Sequence, residues 1–294
     1  MAVAAKRRKK RKVYRKELVA GVAVLSVIFI ALIAVAIVLF QGQAPQQVAK
    51  PALEALPVLP SQEKNPYPAA DYIFDGERMT LRNGKGIPGI DVSRHQGEID
   101  WEKVAGSGIK FAFIRIGYRT YGDGVIYADS YAQANYRGAK AAGIKVGVYF
   151  FSQATNALEA MEEAQWTLDA IKSWELDLPV VYDWELPADD ARTKDVTAGQ
   201  LTAYTRIFNR ILRNHGYDTM LYFNRHHAAE RLYLHRLTDM PCWFAMYSEE
   251  MSYPYEFAIW QYSQTGKVPG IQGNVDLNLM LPGTLWEEDR GNSE

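Results

Sequence analysis

Pro179-Val180-Val181-Tyr182-Asp183-Trp184-Glu185 is a short apolar run that ends in two acids. A β-branched and aromatic stretch of this length reads as a strand buried on both faces, the kind found in parallel sheets covered by helices. Similar runs lie on either side of it: Gly89–Val92, Phe111–Ile116, Lys145–Phe151, Met220–Phe223, Trp243–Met246, Phe257–Gln261 and a short Gly273–Leu277. Amphipathic helical patterns fall between them, near Trp101–Ala105, Ser130–Ala142, Asn156–Trp174 and Ala198–Asn214. Strand and helix in alternation predict parallel βαβ units. Eight strand candidates predict an α/β fold with a (β/α)8-like, TIM-type barrel, a doubly wound open sheet being the alternative.

In a barrel of this type the chemistry sits at the C-terminal ends of the strands. That filter selects Asp91 after Gly89-Ile90, Asp183 and Glu185 at the end of the central run, and Asp276 in the last short strand. An acid at the mouth of an apolar strand is costly to bury unless it is paired or used. Each has an ordinary reading too: Asp91 and Asp276 as turn acceptors, and Asp183 as a partner of an arginine such as Arg115. Asp183 and Glu185 are more informative, because side chains at i and i+2 of a strand share a face, with backbones roughly 6.6 Å apart. Proximity drives the two pKa values apart, so one group stays protonated while the other ionises, and glycoside hydrolysis uses such a pair.

Aromatic residues crowd the same predicted layer. Tyr149, Trp184, Tyr222, Tyr247, Trp260 and Tyr262 all fall at or near strand ends, where rings can stack on the apolar faces of sugars, although packing in the core is the usual fate of a strand aromatic. Arg115 and Gln261 can add hydrogen bonds to hydroxyl and acetamido groups. Other chemistries find less support. Cys242 follows Pro241 in an apolar segment and reads as an inert thiol. The histidines form no H-E-x-x-H pair, no phosphate-binding glycine loop is present, and neither a metal nor a cofactor is expected.

The 294 residues carry a net charge of −1, which conceals an asymmetry. Residues 1–17 hold nine basic side chains and one acid; the remainder holds 24 basic against 33 acidic, a net −9, which excludes a nucleic-acid-binding body. From Leu18 to Phe40 run 23 uncharged residues. At about 1.5 Å per residue they form a helix of roughly 35 Å, enough to cross a hydrocarbon core of about 30 Å. A cleaved signal peptide usually has an apolar region of only about 7–15 residues, so an uncleaved anchor is expected. The basic tail then stays on the cytoplasmic side and the C-terminal part lies outside the cell membrane. Residues 41–70, with six prolines and five glutamines, read as a spacer. Residues 71–86 contain Asp75-Gly76 and Asn83-Gly84 and read as a small hairpin. Residues 87–286 form one domain, followed by a polar tail at 287–294.

The segment Gly89-Ile90-Asp91-Val92-Ser93-Arg94-His95-Gln96-Gly97-Glu98-Ile99-Asp100-Trp101 closely resembles the opening signature of glycoside hydrolase family 25, the peptidoglycan-cleaving lysozymes. Further blocks follow in family order: Phe111–Arg115, Gly147–Ser152, Pro179–Glu185, Trp243–Tyr247, Trp260–Ser263 and Val268–Asn278. The resemblance covers about residues 87–282. It implies a barrel-like α/β fold, hydrolysis of the β-1,4 bond between N-acetylmuramic acid and N-acetylglucosamine with retention of configuration, and no metal. Matched position by position, it makes Glu185 the general acid and then the base, Asp183 the carboxylate that steers the substrate's own acetamido group, and Asp91 and Asp276 the other active-site acids.

One block departs from the family. Many members carry an acidic Ala-Thr-Glu-Gly-like sequence where this chain reads Ile116-Gly117-Tyr118-Arg119-Thr120, so one polar sugar contact is expected to differ. Asp100 reads as a helix N-cap and Trp101 as a core anchor. The leading expectation is a membrane-tethered muramidase facing the cell wall, with peptidoglycan glycan strands as its partner. The alternatives are a non-catalytic wall-binding or scaffold module, and a related N-acetylhexosaminidase or chitinase.

Overall fold

The computed structural model describes residues 63–186 and 191–285. The basic tail, the Leu18–Phe40 stretch, residues 41–62 of the spacer and the 287–294 tail lie outside the described residues. Among the described residues no helix is long and apolar enough to cross a membrane.

Eight strands close into a barrel: β3 (Ile87–Val92), β4 (Phe111–Arg119), β6 (Lys145–Ser152), β7 (Val180–Trp184), β8 (Thr219–Asn224), β9 (Cys242–Ala245), β10 (Ile259–Gly266) and β11 (Val275–Met280). The β3–β4 pairing completes the ring and excludes the open doubly wound sheet. From β3 round to β10 every pair within the barrel is parallel. Strand β11 runs antiparallel to both β10 and β3. A parallel return needs a crossover of about a dozen residues or more, and the link 267–274, punctuated by the positive-φ glycines Gly270 and Gly273, is too short for one. Among the described residues α-helices accompany only the first strands, as Trp101–Gly106, Ala132–Ala141, Ala157–Ile171 and Ala198–Asn214. The β8–β9 link holds only a π turn and a 3-10 turn, His227–Arg231 and Leu234–Arg236. The molecule is therefore an eight-stranded α/β barrel whose second half lacks the helices of a full (β/α)8 repeat.

Local chemistry sets the helix starts. Asp100 accepts from Lys103 N and Asn156 from Glu159 N, while Thr197 and Gln200 form a reciprocal capping box. The helix Ala198–Asn214 buries Leu201, Tyr204, Phe208 and Leu212 at helical spacing, and the Phe208 ring lies 4.7 Å from Tyr182 on the outer face of β7. Burying one such side chain stabilises by about 2 kcal/mol. Inside the barrel the layers are filled by Phe111, Phe113, Val181, Met220, Trp243 and Met280 among others. Gly89 and Gly147 make room for them: a Cβ at either would stand 2.2 Å from the Phe111 ring or 2.3 Å from that of Phe113.

Two short strands precede the barrel, β1 (Tyr72–Phe74) and β2 (Met79–Leu81), paired antiparallel around a turn in which Asp75 accepts from the backbone of Glu77 and Arg78. Residues 63–65, at the end of the proline-rich stretch, are not a free spacer. Glu256 N donates to Glu63 O and Asn65 N to Pro254 O, so this backbone finds its partners on the barrel. A further strand, β5 (Ile126–Ala128), folds back on the far end of β4 beyond the barrel wall.

Candidate active site

The C-terminal ends of the parallel strands and the start of antiparallel β11 meet at one end of the barrel. Asp91 near the end of β3 and Asp276 near the start of β11 are register partners. Beyond Asp91, Ser93 and Gln96 form a capping box around the turn Arg94–Gln96, and Gly97 leaves it at φ 64°. This turn brings Ser93, His95 and Gln96 over the barrel mouth. Asp183 and Glu185 reach the same hollow from β7, as the two-residue parity of a strand requires. The hollow has a volume of about 230 Å³ and also receives Arg115, Tyr149, Tyr222, Tyr247 and Gln261. Trp243 forms its floor, with Phe113 and Tyr222 packed on it at centroid distances of 4.9 and 5.0 Å.

A connected set of hydrogen bonds fixes the acids. Asp91 Oδ2 accepts from Gln261 Nε2 and Asn278 Nδ2, both at 2.8 Å. Asn278 Oδ1 in turn accepts from Trp243 Nε1 at 2.8 Å, and Gln261 Oε1 from the hydroxyls of Tyr222 at 2.9 Å and Tyr247 at 3.2 Å. Gln261 Nε2 also approaches Asp276 Oδ2 at 3.4 Å. Asp183 is treated differently: its Oδ1 is buried and has no hydrogen-bond partner among the described residues.

All four carboxyls are held above their ordinary range, chiefly by burial. Asp276 is pushed up to about 9, with the Asp91 charge as the next cause. Asp91 rises by burial against the two amide donors that favour its charged form, and receives a hydrogen bond from Asp276. Asp276 thus holds the proton of this pair. Asp183 is driven well up by burial and then by Glu185 and Asp91, while the Arg115 guanidinium opposes the shift. Glu185 also rises by burial, against a hydrogen bond with the Tyr222 hydroxyl. Asp276 keeps its proton at neutral pH, and the mutual repulsion of crowded carboxyls drives their pKa values apart, as an acid and a base in one site require.

Two other hollows lie nearby or opposite. One of about 470 Å³ adjoins the first and shares Glu185, Tyr222 and Tyr247 with it, continuing over Asn224, Arg225 and His226. Another, of about 670 Å³, opens at the other end of the barrel between Leu237–Cys242 and Tyr255–Ala258. Glu63, Asp239 and Glu256 bring carboxyls there, and Asp239 is already paired with Arg206 and Arg213. The acid-lined hollow at the C-terminal strand ends is therefore the candidate active site.

The glycosyl hydrolases family 25 model matches residues 90–271. The chain belongs to glycosyl hydrolase family 25. Among relatives, the chain is 29% identical over 200 residues to the autolytic lysozyme of Clostridium acetobutylicum, covering 68% of this chain and 57% of that protein. It is 28% identical over 269 residues to lysozyme M1 of Streptomyces globisporus, covering 83% of this chain and 90% of that protein. In fold it is similar to the modular autolysin LytC from Streptococcus pneumoniae, solved in complex with a synthetic peptidoglycan ligand, with a TM-score of 0.61 at 24% identity over 71% of this chain and 52% of that one. The chain spans little more than half the length of the Clostridium and Streptococcus proteins.

For this family member the hollow gathers Asp91, Asp183, Glu185, Asp276, Arg115, Tyr149, Tyr222, Tyr247 and Gln261, all singled out from the sequence. Three others are elsewhere. Trp184 turns out of the barrel, donates to Ala154 O at 3.1 Å and packs against His227. Trp260 and Tyr262 flank Gln261 on its strand, so they face outward when it faces in, and Tyr72 of the hairpin covers Trp260 at 5.5 Å. Cys242 is partly buried, and desolvation pushes its thiol up to about 12.

Other contributors escaped the sequence reading. Ser93 and His95 had a signal, since they stand two and four residues beyond Asp91. Asp129 had none: it lies beyond β5 in an irregular segment, yet its Oδ2 accepts from Arg115 Nε at 2.9 Å and from Arg94 N at 3.0 Å. The block that departs from the family also resolves. Arg119 turns to the helical layer, where it pairs with Glu163 at 2.7 Å, and Tyr118 presents its hydroxyl to Arg94 Nη1 at 2.6 Å.

Proposed function

We propose that this protein is a muramidase, hydrolysing the β-1,4 bond between N-acetylmuramic acid and N-acetylglucosamine in peptidoglycan with retention of configuration. The observation that carries this reading is the placement of Asp183 and Glu185 on one strand end, inside the mouth of a closed barrel, with the Asp91–Asp276 pair beside them. The sugar whose anomeric carbon reacts occupies the enclosed hollow, and the leaving sugar the adjoining one. Glu185 lines both and so stands at the bond between them.

Asp183 Oδ1, buried and without a protein donor, accepts the acetamido N–H of the muramoyl ring. That hydrogen bond and the Arg115 charge both favour ionised Asp183, which leaves the pair's proton on Glu185. The acetamido oxygen then attacks the anomeric carbon as the glycosidic C–O bond breaks, and Glu185 gives its proton to the leaving oxygen. Asp183 takes the nitrogen proton from the resulting oxazolinium ring. Glu185, now a carboxylate, removes a proton from water as the water opens that ring, Asp183 returns its proton to the acetamido nitrogen, and two inversions give net retention. Asp91 and Asp276, sharing a proton, hold Gln261 and the hollow's polarity in place.

The tether belongs to the same proposal. Leu18–Phe40 is uncharged and long enough to span a bilayer, and the nine basic residues before it favour the cytoplasmic side, which puts the barrel outside the cell membrane and facing the wall. A reporter that works only in the cytoplasm, fused to the C-terminus, is expected to be inactive; activity there would overturn the topology. For the chemistry, the full chain is expected to release fragments with muramic acid at the new reducing end. Fragments ending in N-acetylglucosamine would place it with hexosaminidases instead.

A further inference from the structure

Arg115 is the cation inside the reacting-sugar hollow, and it is built in rather than adventitious. Its side chain is 11% exposed, and its Nε is tied to Asp129, which is fully buried and holds the Arg94 and Tyr131 backbone N–H groups as well. Asp129 therefore has no freedom to reorient, and it fixes the guanidinium plane. One end of that fork is left over. Arg115 Nη2 is buried and has no hydrogen-bond partner among the described residues. A buried donor without an acceptor carries a desolvation cost that a ligand oxygen would relieve.

The placement of Arg115 and Asp183 in one hollow narrows the choice of ligand atom. The two groups line the same hollow from β4 and β7, with β6 between them, and the guanidinium is near enough to oppose the upward shift of Asp183. On the muramoyl ring the acetamido group sits at C2 and the lactyl ether at the adjacent C3. If Asp183 takes the C2 acetamido N–H, a donor beside Asp183 meets a substituent on a neighbouring ring carbon, and C3 is the neighbour at which the two sugars differ. N-acetylglucosamine has only a hydroxyl there; muramic acid has a lactyl carbonyl oxygen, a carboxylate in peptide-free glycan and an amide in peptide-bearing glycan.

We infer that Arg115 Nη2 binds the lactyl carbonyl oxygen of the reacting muramoyl residue, making Arg115, held by Asp129, the residue by which the site selects muramic acid over N-acetylglucosamine. This rests on the muramidase reading above. His95, on the same rim beside Arg94 and Arg115, is held below its ordinary range by burial and by those two cations, so it adds no competing charge near neutral pH.

The test is binding in a full-length Glu185→Gln background, where ligands survive. The probes are a tetrasaccharide of alternating N-acetylglucosamine and N-acetylmuramic acid with free lactyl carboxylates, the same tetrasaccharide with the lactyl groups amidated by L-alanine, and chitotetraose. Adding Arg115→Gln is expected to weaken the lactyl-bearing ligands about ten- to hundredfold more than chitotetraose, the size of one hydrogen bond to a charged group. A loss confined to the carboxylate ligand supports the contact for peptide-free glycan, and a loss for both supports it for peptide-bearing glycan too. Equal loss for all three probes, or none, overturns the inference. Because Arg115→Gln leaves Asp129 uncompensated, the Arg115→Gln/Asp129→Asn double variant is measured as well and is expected to show the same split between ligands. The muramidase reading fails separately, if the wild-type chain releases no reducing fragments from peptidoglycan.

Discussion

Asp91 and Asp276 face one another across the antiparallel β3–β11 seam, and only Asp91 receives two short amide hydrogen bonds, from Gln261 and Asn278. The asymmetry decides which carboxyl keeps the proton. With Asp276 raised to about 9, the folded state binds more protons than the unfolded state from the ordinary aspartate range upward. The stability linked to this group is fully present in acid and is lost as pH rises toward that value. Asp276→Asn removes the penalty, so the variant is expected to be more stable than wild type at pH 8 by about 1 kcal/mol after allowance for partial exposure, with the gap closing toward pH 4. Thermal melts across that pH range read the difference. A constant gap would contradict the proton assignment.

The coupling between Asp183 and Glu185 has its own signature. The Glu185 charge is the second cause, after burial, that lifts Asp183. Glu185→Gln therefore lowers the Asp183 pKa, an effect that carbon NMR of labelled aspartate carboxyls can follow. An Asp183 titration that does not move would mean the two groups are not in electrical contact.

Strand face, not burial alone, separates the aromatics that line the hollow from those that pack, since Tyr149 and Tyr222 are buried as Trp184 and Tyr262 are. Trp260 is fully buried beneath the hairpin, and Trp260→Ala is expected to cost about 3–5 kcal/mol in stability, read by denaturant unfolding. Trp260→Phe, which keeps most of the volume, is expected to change KM on soluble glycan by less than about twofold, because the ring does not reach the hollow. Tyr247, half exposed at the rim and bonded to Gln261, is expected to behave oppositely: Tyr247→Ala raises KM about tenfold, the worth of a stacking or hydrogen-bonding contact, with little loss of stability.

Asn278 joins the floor of the hollow to its acids, receiving from Trp243 and donating to Asp91. Asn278→Ala orphans a buried indole N–H and removes a donor from a buried carboxylate. A cost of about 1–3 kcal/mol is expected, or about 2–10 °C in melting temperature for a domain of this size. Activity is expected to fall as the Asp91 pKa rises further. Asn278→Asp, which keeps an acceptor for Trp243 but adds charge beside Asp91, is expected to be worse than alanine for activity.

Much of this was legible in the residues. Eight apolar runs marked the eight barrel strands, because strands buried on both faces must be apolar throughout, and the acids stood out against that background. The helix-poor second half was harder to read, since the link between β10 and β11 reveals its antiparallel return only through its length and glycines. Trp184, Trp260 and Tyr262 show a different limit. The parity that sets Asp183 and Glu185 on one face turns Trp184 to the other, and the same rule sets Gln261 against its two aromatic neighbours; closeness to a strand end says nothing about face. Asp129 could not be found, because its partnership with Arg115 is made by a fold-back of β5 onto β4 and not by any local pattern.

The proposed chemistry turns on Glu185 protonating the bond between a muramoyl and a glucosaminyl residue. Digestion of purified peptidoglycan by the full-length wild type and by Glu185→Gln, side by side, with mass spectrometry of the reduced products, tests it most directly. Wild type is expected to yield muropeptides with muramic acid at the new reducing end, and Glu185→Gln at least about a thousandfold less product from a protein that melts within a few degrees of wild type. A fully active Glu185→Gln protein would contradict the account.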